Sequence, residues 1–243
     1  MGEKIWYKDW FNSPYYHVLY KNRDDKEAAA FISQLIENLH INPSHKVWDL
    51  ACGKGRHSVY LNSKGIQVIG TDLAENSIEE ALKSANERLE FFVHDMRTPF
   101  RINYFDFVFN LFTSIGYFDR PQDTYKVFQN VAQALKPDGC FVLDFFNCKK
   151  VTDCLIPHEI KTIEGIRFEI FKKVEDGKIV KRIEFDDKGE TYFFEEKVAL
   201  LNKENFTDMA VKAGLSLQNV FGDYHLNSFD ADKSERLILI FKK

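Results

Sequence analysis

Apolar positions recur along the chain with two different periods, and the switches between them divide it into four zones. Residues 1 to 23 hold Trp6, Tyr7, Trp10, Phe11, Tyr15, Tyr16 and Tyr20 without a clean helical or strand period, as expected of an aromatic cap laid on another part of the molecule. Residues 24 to 147 alternate helix and strand patterns, the order that builds a parallel sheet with helices on both faces. Ala28, Phe31, Ile32, Leu35, Ile36 and Leu39 form one helical stripe ending before Asn42-Pro43, and strands are predicted over 46–50, 67–70, 90–93, 105–112 and 140–146. Helices are expected after Gly55, over 77–85 and over 122–135, with Lys136-Pro137-Asp138-Gly139 as a turn. Residues 148 to 201 change character: Ile166, Phe168 and Ile170 alternate with Arg167 and Glu169, and Asp176-Gly177 and Asp187-Lys188-Gly189 mark turns, so an inserted three-stranded antiparallel meander is predicted. Residues 202 to 243 read as a helix over 203–213 closed by Gly214, followed by strands 215–221 and 235–241 that complete the main sheet.

Composition narrows the class. The 44% hydrophobic fraction and the 23 Phe, 10 Tyr and 3 Trp suffice for a packed core and exclude a disordered chain. No apolar run approaches the roughly 20 residues of a membrane span, and MGEKIWYKDW has no apolar signal core, so a cytoplasmic protein without membrane association is expected. Cys52, Cys140, Cys148 and Cys154 show neither a Cys-x-x-Cys pair nor zinc spacing, so no metal is expected and the thiols suit a reducing compartment. A net charge of −4 without long basic blocks argues against nucleic acid as a partner.

The most informative stretch is Val47-Trp48-Asp49-Leu50-Ala51-Cys52-Gly53-Lys54-Gly55-Arg56-His57-Ser58, a strand feeding a glycine-rich turn and then a helix. Such a turn brings backbone close to a ligand at a helix N-terminus. Ser58 stands where the dinucleotide fingerprint has its third glycine, and Asp49 suits a cationic amino group better than a pyrophosphate, which it would repel. Asp72 ends the next strand, 17 positions past Gly55, where a carboxylate accepts from ribose hydroxyls. Asp95, followed by Met96, ends the third. Together the three carboxylates form a row of acceptors along one sheet edge.

This arrangement resembles the class I S-adenosylmethionine-dependent methyltransferases over residues 24 to 147 and, more loosely, over the last 40 or so. The resemblance implies a Rossmann-like, doubly wound α/β fold: a mostly parallel seven-stranded sheet with an antiparallel last strand, here with the inserted antiparallel meander and the N-terminal cap. It further implies that Asp49 and the backbone of Ala51, Gly53 and Gly55 surround the methionine part of S-adenosylmethionine, that Asp72 binds the ribose with Leu73 against the adenine, and that Asp95 with Met96 recognises the adenine edge. Asn110 matches the fourth-strand position near the transferred methyl group. The run from Gly53 to Ser58 is also similar to small-molecule methyltransferases of the tellurite-resistance type.

Asn110 is followed by Leu111-Phe112-Thr113 rather than by two prolines and an aromatic, which disfavours methylation of exocyclic amines on nucleic-acid bases. The expected activity is therefore in-line methyl transfer to a small-molecule acceptor. No residue is singled out as catalytic; His57, His158 and His225 are candidate bases without discriminating spacing. Tyr16, Tyr20, Thr113, Ser114 and Tyr117 are the candidates for the acceptor side. Two other readings are open: a catalytically silent S-adenosylmethionine-binding module or partner subunit, and a nicotinamide oxidoreductase, which the missing glycine and the early Asp49 both oppose.

Overall fold

The structure, a computed structural model, describes residues 6–21 and 25–243, so positions 1–5 and 22–23 of the expected cap and position 24 of the expected core lie outside the described residues. The chain runs α1 (Trp6–Phe11), α2 (Pro14–Leu19), α3 (Asp25–Asn38), β1 (Lys46–Leu50), α4 (Arg56–Ser63), β2 (Gln67–Asp72), α5 (Glu75–Leu82), β3 (Leu89–Val93), β4 (Phe105–Asn110), α6 (Pro121–Ala134) and β5 (Leu135–Phe146). It continues through α7 (Cys148–Asp153), β6 (His158–Ile163), β7 (Ile166–Glu175), β8 (Lys178–Asp187), β9 (Glu190–Ala199), α8 (Lys203–Lys212), β10 (Ser216–Phe221) and β11 (Arg236–Lys242). The first sheet has the order β10-β11-β5-β4-β1-β2-β3, with β1 to β5 parallel and β11 antiparallel to both of its neighbours. It is the mostly parallel, doubly wound sheet that the alternating pattern predicts.

Side-chain alternation along its strands feeds two cores. Val47, Phe107 and Phe109 meet Phe31, Leu61 and Ile78 from α3, α4 and α5 on one face. Trp48, Phe105 and Val108 meet Val127, Phe128 and Phe206 from α6 and α8 on the other. Pro121 at the first turn of α6 starts a helix whose buried Thr124, Val127, Phe128 and Val131 fall on one stripe. Truncating a buried residue such as Phe128 to Ala would cost about 3–5 kcal/mol.

The second sheet is a meander, β6-β7-β8-β9, of four strands rather than the three expected. Its hairpins close through Glu164-Gly165, Asp176-Gly177 and Lys188-Gly189, each with both residues at positive φ, the geometry that matches the twist of two-residue hairpins. The fourth strand, β6, was hidden because it is an edge strand with every position half-buried or exposed, so His158 to Ile163 show no apolar face. The inner face of the meander, Phe168, Ile170, Ile183 and Phe185, packs against Trp10 and Leu19 of α1 and α2. In the first sheet, residues 136–139 are carried within β5 as an irregular stretch where its register with β4 shifts, rather than standing before the strand.

Candidate functional site

The carboxyl ends of β1 to β4 open into a cavity of about 390 Å³, roofed by Tyr7, Phe11, Tyr16 and Tyr20 of the N-terminal helices. The pleat of β1 puts Asp49 on the same face as Val47, under α4, where Ser58 Oγ donates to its carboxylate at 2.5 Å. Burial pushes the Asp49 carboxyl up to about 6, with the Ser58 bond opposing and the nearby Asp72 charge adding to the rise. The loop after it turns sharply: Ala51 (φ 64°) and Gly53 (φ 55°) are left-handed. A Cβ on Gly53 would meet nothing within 4 Å, whereas one on Gly55 (φ 79°) would come within 2.7 Å of the Phe91 ring. Gly53 therefore exposes backbone to the cavity, and Gly55 is needed for helix–sheet packing behind it.

Asp72 accepts from the N–H groups of Gly53 and Ala74, both at 2.8 Å, so β2 braces the glycine turn of β1. Burial raises its carboxyl against the pull of those two bonds. Burial alone would raise Asp95 as well, but Arg97 donates to both of its oxygens, down to 2.6 Å, and holds it below its ordinary value. Burial, with Asp49 and Asp72 beside it, keeps the Cys52 thiol protonated.

On the opposite wall, Phe112 and Thr113 follow β4 in consecutive left-handed conformations (φ 58° and 59°), rare for residues with side chains. They are held from behind. Asp144, fully buried on β5, accepts from Phe112 N–H at 2.8 Å and from Arg236 Nε at 2.8 Å, and Arg236 also reaches Thr113 Oγ1 at 3.0 Å. The Phe112 ring stacks between His57 and Tyr224, with centroids 5.1 and 5.3 Å away.

Asp49, Ala51, Gly53, Asp72, Leu73, Asp95, Met96, Tyr16, Tyr20, Thr113, Ser114 and Tyr117 thus all line one cavity. Gly55 and Asn110 do not: Asn110 is buried behind the wall, where its Nδ2 donates to the Leu50 carbonyl at 2.9 Å and ties β4 to β1. Among the candidate bases only His57 lines the cavity; His158 lies on the meander beside Glu169, and His225 is exposed. Sequence reasoning missed Tyr7, Phe11, His17 and Phe112 on the wall and the Asp144–Arg236 support, whose members lie 92 positions apart. Among the described residues no group of His, Cys, Asp or Glu is arranged to hold a metal ion, and no helix is long and apolar enough to cross a membrane.

Residues 47–139 match the family model described as a methyltransferase domain. The putative methyltransferase YqeM of Bacillus subtilis is 33% identical over 112 residues, which cover 44% of this chain and 45% of YqeM. The chain spans about half the length of the first curated relatives it matches. Among solved structures, the S-adenosylmethionine-bound amino pentose methyltransferase CalS10 of Micromonospora echinaspora superposes with a TM-score of 0.70 at 17% identity, covering 95% of this chain and 97% of CalS10. A TehB-like S-adenosylmethionine-dependent methyltransferase from Corynebacterium glutamicum gives 0.62 at 20% identity, with 98% of each chain covered.

Proposed function

Because the chain carries a methyltransferase domain within the class I S-adenosylmethionine-dependent methyltransferase fold, we propose that it transfers a methyl group from S-adenosylmethionine to a small-molecule acceptor. The observation that carries this reading is the row of Asp49, Asp72 and Asp95 at three adjacent strand ends, facing one cavity across the open backbone of Gly53. These acceptors fit that cofactor. Asp49 would face its cationic amino group, Asp72, with lone pairs beyond the Gly53 and Ala74 bonds, would accept from two ribose hydroxyls, and Asp95 with Met96 and Leu73 would take the adenine. The bound cofactor supplies a methyl group already activated on a sulfonium.

What the protein contributes is alignment and exclusion of water, which together lower a barrier by about 7–11 kcal/mol where the geometry is near attack. The aromatic roof from Tyr7 to Tyr20 excludes solvent, and Thr113, Ser114 and Tyr117 on the rigid left-handed loop orient the acceptor. Of His57, His158 and His225, His57 is the one on that wall, stacked on Phe112, and His17 and His94 line the same cavity. CalS10, by its name, methylates an amino pentose, which supports an acceptor of metabolite size in a cavity of about 390 Å³.

Calorimetry with S-adenosylhomocysteine tests the reading. Charge-assisted hydrogen bonds contribute about 1.5–3 kcal/mol each, so Asp72→Ala should weaken binding at least tenfold. A variant that titrates like the wild type would remove the ribose assignment.

A further inference from the structure

The cavity roof is fastened to the meander by a polar cluster that no part of the proposed chemistry uses. Glu196 on β9 is nine-tenths buried and does not line the cavity. Its Oε1 accepts from Trp10 Nε1 of α1 at 2.6 Å, and both of its oxygens lie 2.8 Å from the hydroxyl of Tyr20, the C-cap of α2. Lys181 on β8 donates to the same hydroxyl at 2.5 Å, stands 4.6 Å from the Tyr20 ring centre and lies 3.5 Å from Glu196. Tyr20 in turn packs on Tyr16 at 4.9 Å, and both rings form cavity wall.

A buried ion pair contributes little net stability compared with apolar residues of the same size, but it is directional. Here the apolar alternative is at hand, since the cluster borders Phe168, Ile170, Ile183 and Phe185. We infer that Glu196 and Lys181 are positioning residues: acting through the Tyr20 hydroxyl, they fix the aromatic roof in the geometry that binds the cofactor, so the meander takes part in ligand binding without touching the ligand. The Tyr20 hydroxyl meets Glu196 and Lys181 of the meander, and Trp10, which also lies outside the cavity lining, is held by the same carboxylate and by Phe194 at 4.3 Å. Removing the carboxylate takes the acceptor from the buried Trp10 N–H and one fastening from the Tyr20 hydroxyl, which frees the roof to turn.

The inference rests on the proposal that S-adenosylmethionine occupies the cavity, and the test separates the two. S-adenosylhomocysteine affinity is measured by calorimetry for the wild type, Glu196→Ala, Tyr20→Phe and the double variant. Amide hydrogen exchange over residues 14–21 is followed on the ligand-free proteins. The expected result is a loss of about tenfold for Glu196→Ala, a double variant no weaker than Glu196→Ala alone, and faster exchange over 14–21 with unchanged protection in β1 to β5. Glu196→Gln, which still offers Trp10 an acceptor, should recover to within about threefold of the wild type. Lys181→Met, which keeps the aliphatic stem, should lose about threefold and serves as the reporter if Glu196→Ala does not fold. Additive losses in the cycle, or affinity unchanged in both Glu196→Ala and Lys181→Met, would overturn the inference. If the wild type itself does not bind S-adenosylhomocysteine, the functional proposal fails and the exchange data alone decide: unchanged protection over 14–21 in the variants overturns the positioning role.

Discussion

Asp49 concentrates the conflict between stability and binding into one side chain. Its carboxyl titrates near 6 in the folded protein against an ordinary 3.8, so between those values the folded chain holds a proton that the unfolded chain has lost. Stability from this group therefore rises as pH falls through 6, and above 6 the ionised, buried carboxylate costs up to about 3 kcal/mol at about 1.36 kcal/mol per unit. Asp49→Asn should accordingly raise the melting temperature at pH 8, leave it nearly unchanged at pH 4, and weaken S-adenosylhomocysteine binding. Wild-type affinity should fall as pH drops below 6, while the variant's affinity stays flat. Equal stabilisation at both pH values would show that Asp49 is not the group responsible. Asp49, Asp72 and Asp95 were legible in the sequence because each is a local feature, a carboxylate at the end of an apolar strand. Asp144 was not, since Phe141 to Phe146 reads as one apolar strand and nothing nearby announces that its acid serves a loop residue 32 positions upstream and an arginine 92 positions downstream.

At the scale of elements, α1 and α2 belong to two packing systems. Tyr7 is buried in the core of the first sheet against Phe118, whereas Trp10 and Leu19 cover the inner face of the meander. Deleting residues 1–21 should leave the first sheet with a cooperative unfolding transition, because its two cores draw on α3 to α6 and α8. The deletion should also expose the meander's apolar face, increase the fluorescence of an apolar dye and reduce cofactor affinity. Loss of the cooperative transition would mean that Tyr7 and its neighbours are integral to the sheet. The order of the first sheet's strands and helices could be read from periodicity because each element has one wet face or none. The segment preceding Glu164-Gly165 could not, because both faces of β6 meet solvent, and a strand without a dry side has no pattern to betray it.

For the whole molecule, the cavity of about 390 Å³ and the net charge of −4 bear on the acceptor. A duplex-binding surface would need basic groups to neutralise several phosphates, whereas the acceptor wall here is largely aromatic. Radiolabelled methyl offered in parallel to total RNA, genomic DNA and a small-molecule extract should appear in the last; label confined to nucleic acid would overturn the small-molecule reading. The far-flung contacts around the cavity also impose a timetable on its manufacture. Trp10 precedes its partner Glu196 by 186 positions, a delay of roughly 10 to 40 s at ribosomal speeds of about 5 to 20 residues per second. The aromatic segment thus leaves the ribosome well before the carboxylate that seats it. Asp144 waits likewise for Arg236. The strands that present Asp49, Asp72 and Asp95 are thus synthesised well before Glu196 and Arg236, the two residues that fasten the aromatic roof and the Phe112–Thr113 wall.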